Sequence, residues 1–121
     1  MTDTTDTAKP IIWAGGSHPM TLNHRWVRSV LSVRGLPGDF GSTPAAAFKR
    51  FEQGVFSTED VEQIIYLGLC GGGLSREEAD NLVDKHVRSR PVLENSATAF
   101  SVLATLFTSP SDIADQEGEA A

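Results

Sequence analysis

One cysteine, Cys70, is all the sequence holds. A chain with a single thiol forms no internal disulfide and builds no multi-cysteine zinc site, and it suits a reducing, intracellular setting. No apolar run approaches the roughly 20 residues that a membrane-spanning helix needs. The polar, acidic start from Met1 to Ala8 has no basic stretch followed by an apolar one, so a secretory signal is not expected either. Positive charge is scarce as well. Ten Lys and Arg face sixteen Asp and Glu, for a net charge of −6 and a pI near 4.9. A general nucleic-acid binder shows a basic stripe that collects phosphates, and this balance speaks against one. No period of 20 to 50 residues recurs, which removes solenoids and propellers. The expectation is a soluble, non-exported protein.

The 121 residues (13.0 kDa), 40% of them hydrophobic, suit one domain able to bury about two-thirds of its unfolded surface. Charge is unevenly spread along them. Asp112, Asp115, Glu117 and Glu119 lie beyond Thr108 with no base, leaving −2 for the first 107 residues. Between Asp6 and Asp39 there is no acid, while Arg25, Arg28 and Arg34 cluster beside His24. That segment fits either a docking face for an acidic partner or an ordinary solvated helix face. Residues 1–9 and 108–121 are poor in core-forming side chains and are expected to be disordered tails around a single domain at 10–107.

Within that domain the β-prone run Ile11–Ala14, the turn residues Gly15–Ser17 and the run His18–Leu22 predict a β-hairpin, with Pro19 keeping the second arm short or at an edge. Helical spacing follows. Trp26, Val27, Val30 and Leu31 share one face of a helix expected over Asn23–Arg34, which Gly35 stops. Thr43 as N-cap and Pro44 at the first helical position open a second helix through Gln53, ended by Gly54. Ser57 with Asp60 caps a third helix over Thr58–Cys70, and Gly71, Gly72 and Gly73 terminate it, with Gly71 as the left-handed cap. Ser75 and Glu78 form a capping box for a fourth helix whose inner face is Ala79, Leu82, Val83, His86 and Val87. Pro91 opens a fifth helix running to Phe107. The fold class is therefore mainly α: an N-terminal β-hairpin followed by a bundle of about five short helices.

Residues that invite chemistry have plainer explanations. Cys70 with His86 as base would make a thiol nucleophile, yet the C-terminal end of a helix disfavours a thiolate, and a small buried hydrophobe is the better account. The stretch Gly68–Ser75 (GLCGGGLS) lacks the closing Lys-Ser or Lys-Thr and the preceding strand of a phosphate loop. His18, His24 and His86 are too scattered for a metal site. Trp13 and Trp26 already sit in apolar patterns. No catalytic, cofactor or metal residues are expected, and the protein is not expected to be an enzyme.

Two passages look familiar: the hairpin-to-helix segment IIWAGGSHPMTLNHRWVRSVLSVRG, and FSTEDVEQIIYLGLCGGGLSREEADNLVDKH before the Pro-led terminal helix. Together, over residues 10 to 107, they resemble the small tail assembly chaperones of gene transfer agents and siphophage-like prophages, also labelled tail tube proteins. The resemblance implies a non-enzymatic assembly factor, encoded ahead of the tape measure protein, that keeps that protein soluble until tail tube subunits polymerise around it. Its partners would be the tape measure protein and tube subunits, in the host cytoplasm or on the particle. The glycines Gly71–Gly73 and the caps Ser75 and Glu78 match the motif as structural features only. The first helix departs from it, carrying Arg25 and Arg28 where members often carry acid.

Two other functions stay open: a tube or connector subunit retained in the particle, which would need a larger sheet, and a helix-turn-helix regulator, which would need more basic charge. For a binding protein the terminal helix is the candidate surface. Asn95–Ser111 holds no charge. Phe100, Leu103 and Phe107 cluster with Val92, while Val102 and Leu106 lie toward another side. Such a helix is buried on more than one side. Either one flank meets a second copy or the tape measure chain, or the helix is simply the centre of the bundle, and then Arg25 and Arg28 are the next candidates.

Overall fold

The computed structural model describes residues 10–107; the tails expected at 1–9 and 108–121 lie outside the described residues. The hairpin pairs β1 (Pro10–Trp13) with β2 (Gly16–Pro19) in antiparallel register, Pro10 opposite Pro19 and Trp13 opposite Gly16. Its turn is the pair Ala14–Gly15, one residue earlier than the glycine run suggested. Gly15 is needed there because the Trp13 indole lies across it: a Cβ would come within 2.5 Å of the ring. The second arm also stops sooner than expected. After Pro19 the chain leaves the ladder, and Met20, Thr21 and Leu22 are buried against a helix instead, with the Thr21 amide donating to Gly68 O at 3.2 Å.

Helix α1 (Arg25–Val33) starts two residues later than the apolar spacing implied, because the His24 side chain, not Asn23, accepts the free Trp26 amide. It buries Val27 and Leu31, and Gly35 at φ 68° ends it. Trp26 was expected inside. It is 36% exposed and carries the Arg76 guanidinium 5.6 Å from its ring centre, so this amphipathic ring sits at the edge of the buried face. Helix α2 (Pro44–Gln53) has the expected Thr43 cap, Pro44 start and left-handed Gly54.

Helix α3 (Thr58–Gly71) runs through the middle and buries Val61, Ile64, Ile65, Leu67 and Leu69. Its capping box is complete: the Asp60 amide donates to Ser57 Oγ and the Ser57 amide to an Asp60 carboxylate oxygen. At the other end the structure corrects the role of the glycines. Gly71 is still helical, Gly72 has φ −83°, and Gly73 at φ 120° is the left-handed residue. Leu74 N donates to Leu69 O and Gly73 N to Cys70 O, the six-to-one and five-to-two bonds of a Schellman motif with glycine at its C′ position. Gly71 and Gly72 serve close approach instead. A Cβ on Gly71 would strike Thr21 O and one on Gly72 would strike Pro19 O, so these two positions let the hairpin exit pass against the helix end.

Ser75 and Glu78 cap helix α4 (Arg76–Val83) in both directions, and a π-turn over Asp84–Arg88 extends it. The expected helix from Pro91 to Phe107 is broken. A 3-10 turn (Val92–Glu94) comes first, then Asn95 in a non-helical conformation, then helix α5 (Ser96–Ala104). The cause is a buried amide: Asn95 Nδ2 donates to His86 O at 2.9 Å, tying the break to the turn after α4. Beyond Ala104 the last three residues close by i to i−3 bonds, down to Phe107 N on Ala104 O. Helix α5 lies on α3 with Val102 against Gly68, whose Cβ, if present, would be 2.5 Å from Val102 Cγ1.

Candidate functional site

The terminal segment divides its apolar residues between two tasks. Val102 and Leu103 are fully buried in the core beneath α3. Phe100 is half-buried and packs on Phe48 and Phe51, at 5.0 and 6.0 Å between ring centres. Val102 was expected to share an outward flank with Leu106, and the structure separates them. Further along, Leu106 is half-buried and Phe107 is 48% exposed, meeting Phe48 edge-on at 5.1 Å.

Those two residues form one wall of a groove of about 370 Å³. Arg28 and Leu31 of α1 form the opposite wall, and Thr43 and Pro44 at the start of α2 close one end. The lining is mixed: Leu31, Pro44, Ala45, Leu106 and Phe107 are apolar, Ser32 and Thr43 are polar, and Arg28 is the one cation. Arg28 and the terminal candidates, about 80 residues apart in sequence, thus converge on one site, whereas Arg25 does not line it. The groove's walls are held by polar contacts that carry no local sequence signature. Thr105 Oγ1 accepts from the Leu22 amide at 3.0 Å and Thr105 O accepts from Asn23 Nδ2, which pins the last turn to the entry of α1.

The α2 wall depends on Arg50, a charged residue that is only 1% exposed. Its guanidinium donates to both oxygens of Asp60, at 2.8 and 2.6 Å, and to the carbonyls of Leu36, Asp39 and Gly41. That set of bonds shapes the loop leading into Thr43. The arginine is fixed by the last turn of α2 and the carboxylate by the α3 capping box, so one helix end, one helix start and a loop share one charge pair.

Electrostatically the groove is one-sided. No acid lines it, and α2 has no acidic residue in its first turn. Among the described residues Arg25, Arg28 and Arg34 enter no ion pair, while Arg88 holds Glu62, Asp80 and Asp84 and Arg90 holds Glu94. An unpaired guanidinium beside the positive end of a helix favours a carboxylate there.

The reactive residues weighed from sequence form no site. Burial pushes the Cys70 thiol up, away from the thiolate form. Trp13 Nε1 donates to His18 Nδ1 at 2.9 Å and the Trp13 ring stands edge-on to His86 at 5.9 Å, so both histidines dress the indole. Among the described residues no group of His, Cys, Asp and Glu is arranged to hold a metal, and no helix is long and apolar enough to cross a membrane.

Comparison with family models gives a match over residues 8–109, to the family described as phage tail tube protein, GTA-gp10. The chain belongs to this phage tail tube protein family. Searches of curated proteins and of solved structures found no match. The family match spans the hairpin, all five helices and the groove. It agrees with the tail-protein resemblance carried by the hairpin and the glycine turn.

Proposed function

We propose that this GTA-gp10 family member is a non-enzymatic structural component of the tail tube, retained in the particle and joined to other tail proteins through the groove between α1, α2 and the turn after α5. The observation that carries the reading is the groove itself. Pro44, Ala45, Leu106 and Phe107 offer apolar surface beside a guanidinium with no partner among the described residues, the combination a protein partner's apolar side chain and carboxylate would complete.

A second reading has its own support. The described residues contain one sheet, of two four-residue strands, little edge from which to build a wall by strand pairing. That favours an assembly factor, which would hold the tape measure protein during tube growth and leave before the particle is finished.

One experiment separates the two. Particles and assembly intermediates are purified and this chain is quantified in each, with wild type and Arg28→Glu compared. A retained component is present in finished particles at fixed stoichiometry, and Arg28→Glu depletes it there. Presence only in intermediates, together with the tape measure protein, selects the assembly factor. Undiminished incorporation of Arg28→Glu refutes the groove as the docking surface.

A further inference from the structure

The groove ends at Phe107, and the sequence continues from that wall with TSPSDIADQEGEAA. Ile113 is its one aliphatic residue larger than alanine, and it stands between Asp112 and Asp115. We infer that the Asp112–Asp115 segment of the same chain docks back into the groove, Ile113 on its apolar lining and a flanking carboxylate at the Arg28 guanidinium. The inference rests on the reading of this groove as a docking surface and names what occupies it before a partner arrives.

Three observations carry it. The charges are complementary: the Asp112–Asp115 segment holds two acids and no base, while the groove holds an arginine without an ion pair among the described residues and no acid. The chemistry corresponds: one aliphatic side chain with carboxylates on both sides, for a groove that sets apolar lining from Pro44, Ala45, Leu106 and Phe107 beside one cation. The reach is sufficient, since six residues beyond Phe107 span up to about 20 Å when extended, and the segment starts from a wall of the groove itself. A short tether of this kind gives an effective concentration on the order of millimolar, so the own segment outcompetes a free peptide of the same chemistry. A docked segment would cover Leu106 and Phe107 on the unassembled chain and yield them to a tail protein that binds more tightly.

The test uses the full chain, with methyl NMR signals of Leu31 and Leu106 reporting on the groove and those of Leu69 and Leu103 on the core. Ile113→Asp should shift the groove methyls and leave the core methyls unmoved. Arg28→Glu should shift the same groove signals, and combining it with Asp112→Lys and Asp115→Lys should return them toward wild type, at any protein concentration. Unmoved groove methyls in Ile113→Asp, no recovery on charge reversal, or shifts that grow with protein concentration, which would mark a second copy as the occupant, each overturn the inference. Its failure is separable from that of the docking reading. If Ile113→Asp moves nothing while Arg28→Glu still depletes the chain from particles, the groove binds tail proteins and the segment does not cover it.

Discussion

Arg50→Met is the sharpest perturbation the structure offers, because Arg50 and Asp60 are 1% and 3% exposed and the arginine alone neutralises that carboxylate. Methionine keeps much of the volume and removes every donor. What remains is a buried carboxylate with the Ser57 amide as its hydrogen-bond partner, and the carbonyls of Leu36, Asp39 and Gly41 lose the guanidinium. Removing one partner of a buried pair costs about 3 to 5 kcal/mol. A domain of this size has roughly 5 to 15 kcal/mol in all, so the variant should lose a large share of its stability. Asp60→Asn should be similarly costly, since it leaves the guanidinium short of a charge and weakens the α3 cap. The double variant should cost clearly less than the two singles together, because the orphaned charge that dominates each single is gone. Urea unfolding followed by far-UV circular dichroism measures all three. A loss below about 1 kcal/mol for Arg50→Met, or strict additivity of the pair, would refute the assignment of this charge pair as the clamp on the loop into α2.

Gly71→Ala and Gly72→Ala should each destabilise more than Gly73→Ala, since the first two drive a Cβ into the Thr21 and Pro19 carbonyls while the last meets only an unfavourable φ in open space, worth about 1 to 2 kcal/mol; the ranking of urea midpoints checks it. Val102→Asp should abolish the cooperative melt, because Val102 is fully buried against Gly68, whereas Leu106→Asp should still melt cooperatively in circular dichroism and lose tail-protein binding. Burial holds the Cys70 thiol above its ordinary 9.0, and burial together with the nearby Cys70 raises Tyr66 as well. The unfolded thiol then loses its proton first, so stability from Cys70 is complete below its unfolded pKa and falls as pH rises past it. Cys70→Ala should accordingly show a shallower loss of urea midpoint between pH 8 and 10 than wild type.

What the sequence made legible was local. Thr43, Ser57, Ser75 and Glu78 each act on an amide within three residues, and all four cap as their spacing implied. The hairpin was visible for the same reason, two β-prone runs around glycines. Tertiary demands were hidden. Nothing in the run Lys49, Arg50, Phe51 and Glu52 marks Arg50 as the charge that turns inward, because its partner is a capping residue of the next helix and its other acceptors are backbone carbonyls. Asn95 reads as a polar residue in an apolar helix, and only the His86 carbonyl opposite it explains why the helix starts after it. Three consecutive glycines mark a helix end, but local chemistry does not say which one carries the positive φ and which two make room for the hairpin exit.

The groove proposed as the docking surface is built by such hidden contacts. Its cation was visible as one of three arginines in an acid-free stretch and its apolar wall as an uncharged terminal segment, two separate candidates with no sequence reason to meet. Thr105 joins them: its carbonyl and hydroxyl hold Asn23 and Leu22, so the turn carrying Leu106 and Phe107 is fixed against the start of the helix that carries Arg28. Arg50, through the loop into Thr43, sets the end wall. A surface assembled this way is coupled to the core that positions it. Loosening the Arg50 clamp should therefore weaken tail-protein binding even though Arg50 lines no part of the groove, and a variant that lost stability while keeping full binding would show that the groove is held by Thr105 alone.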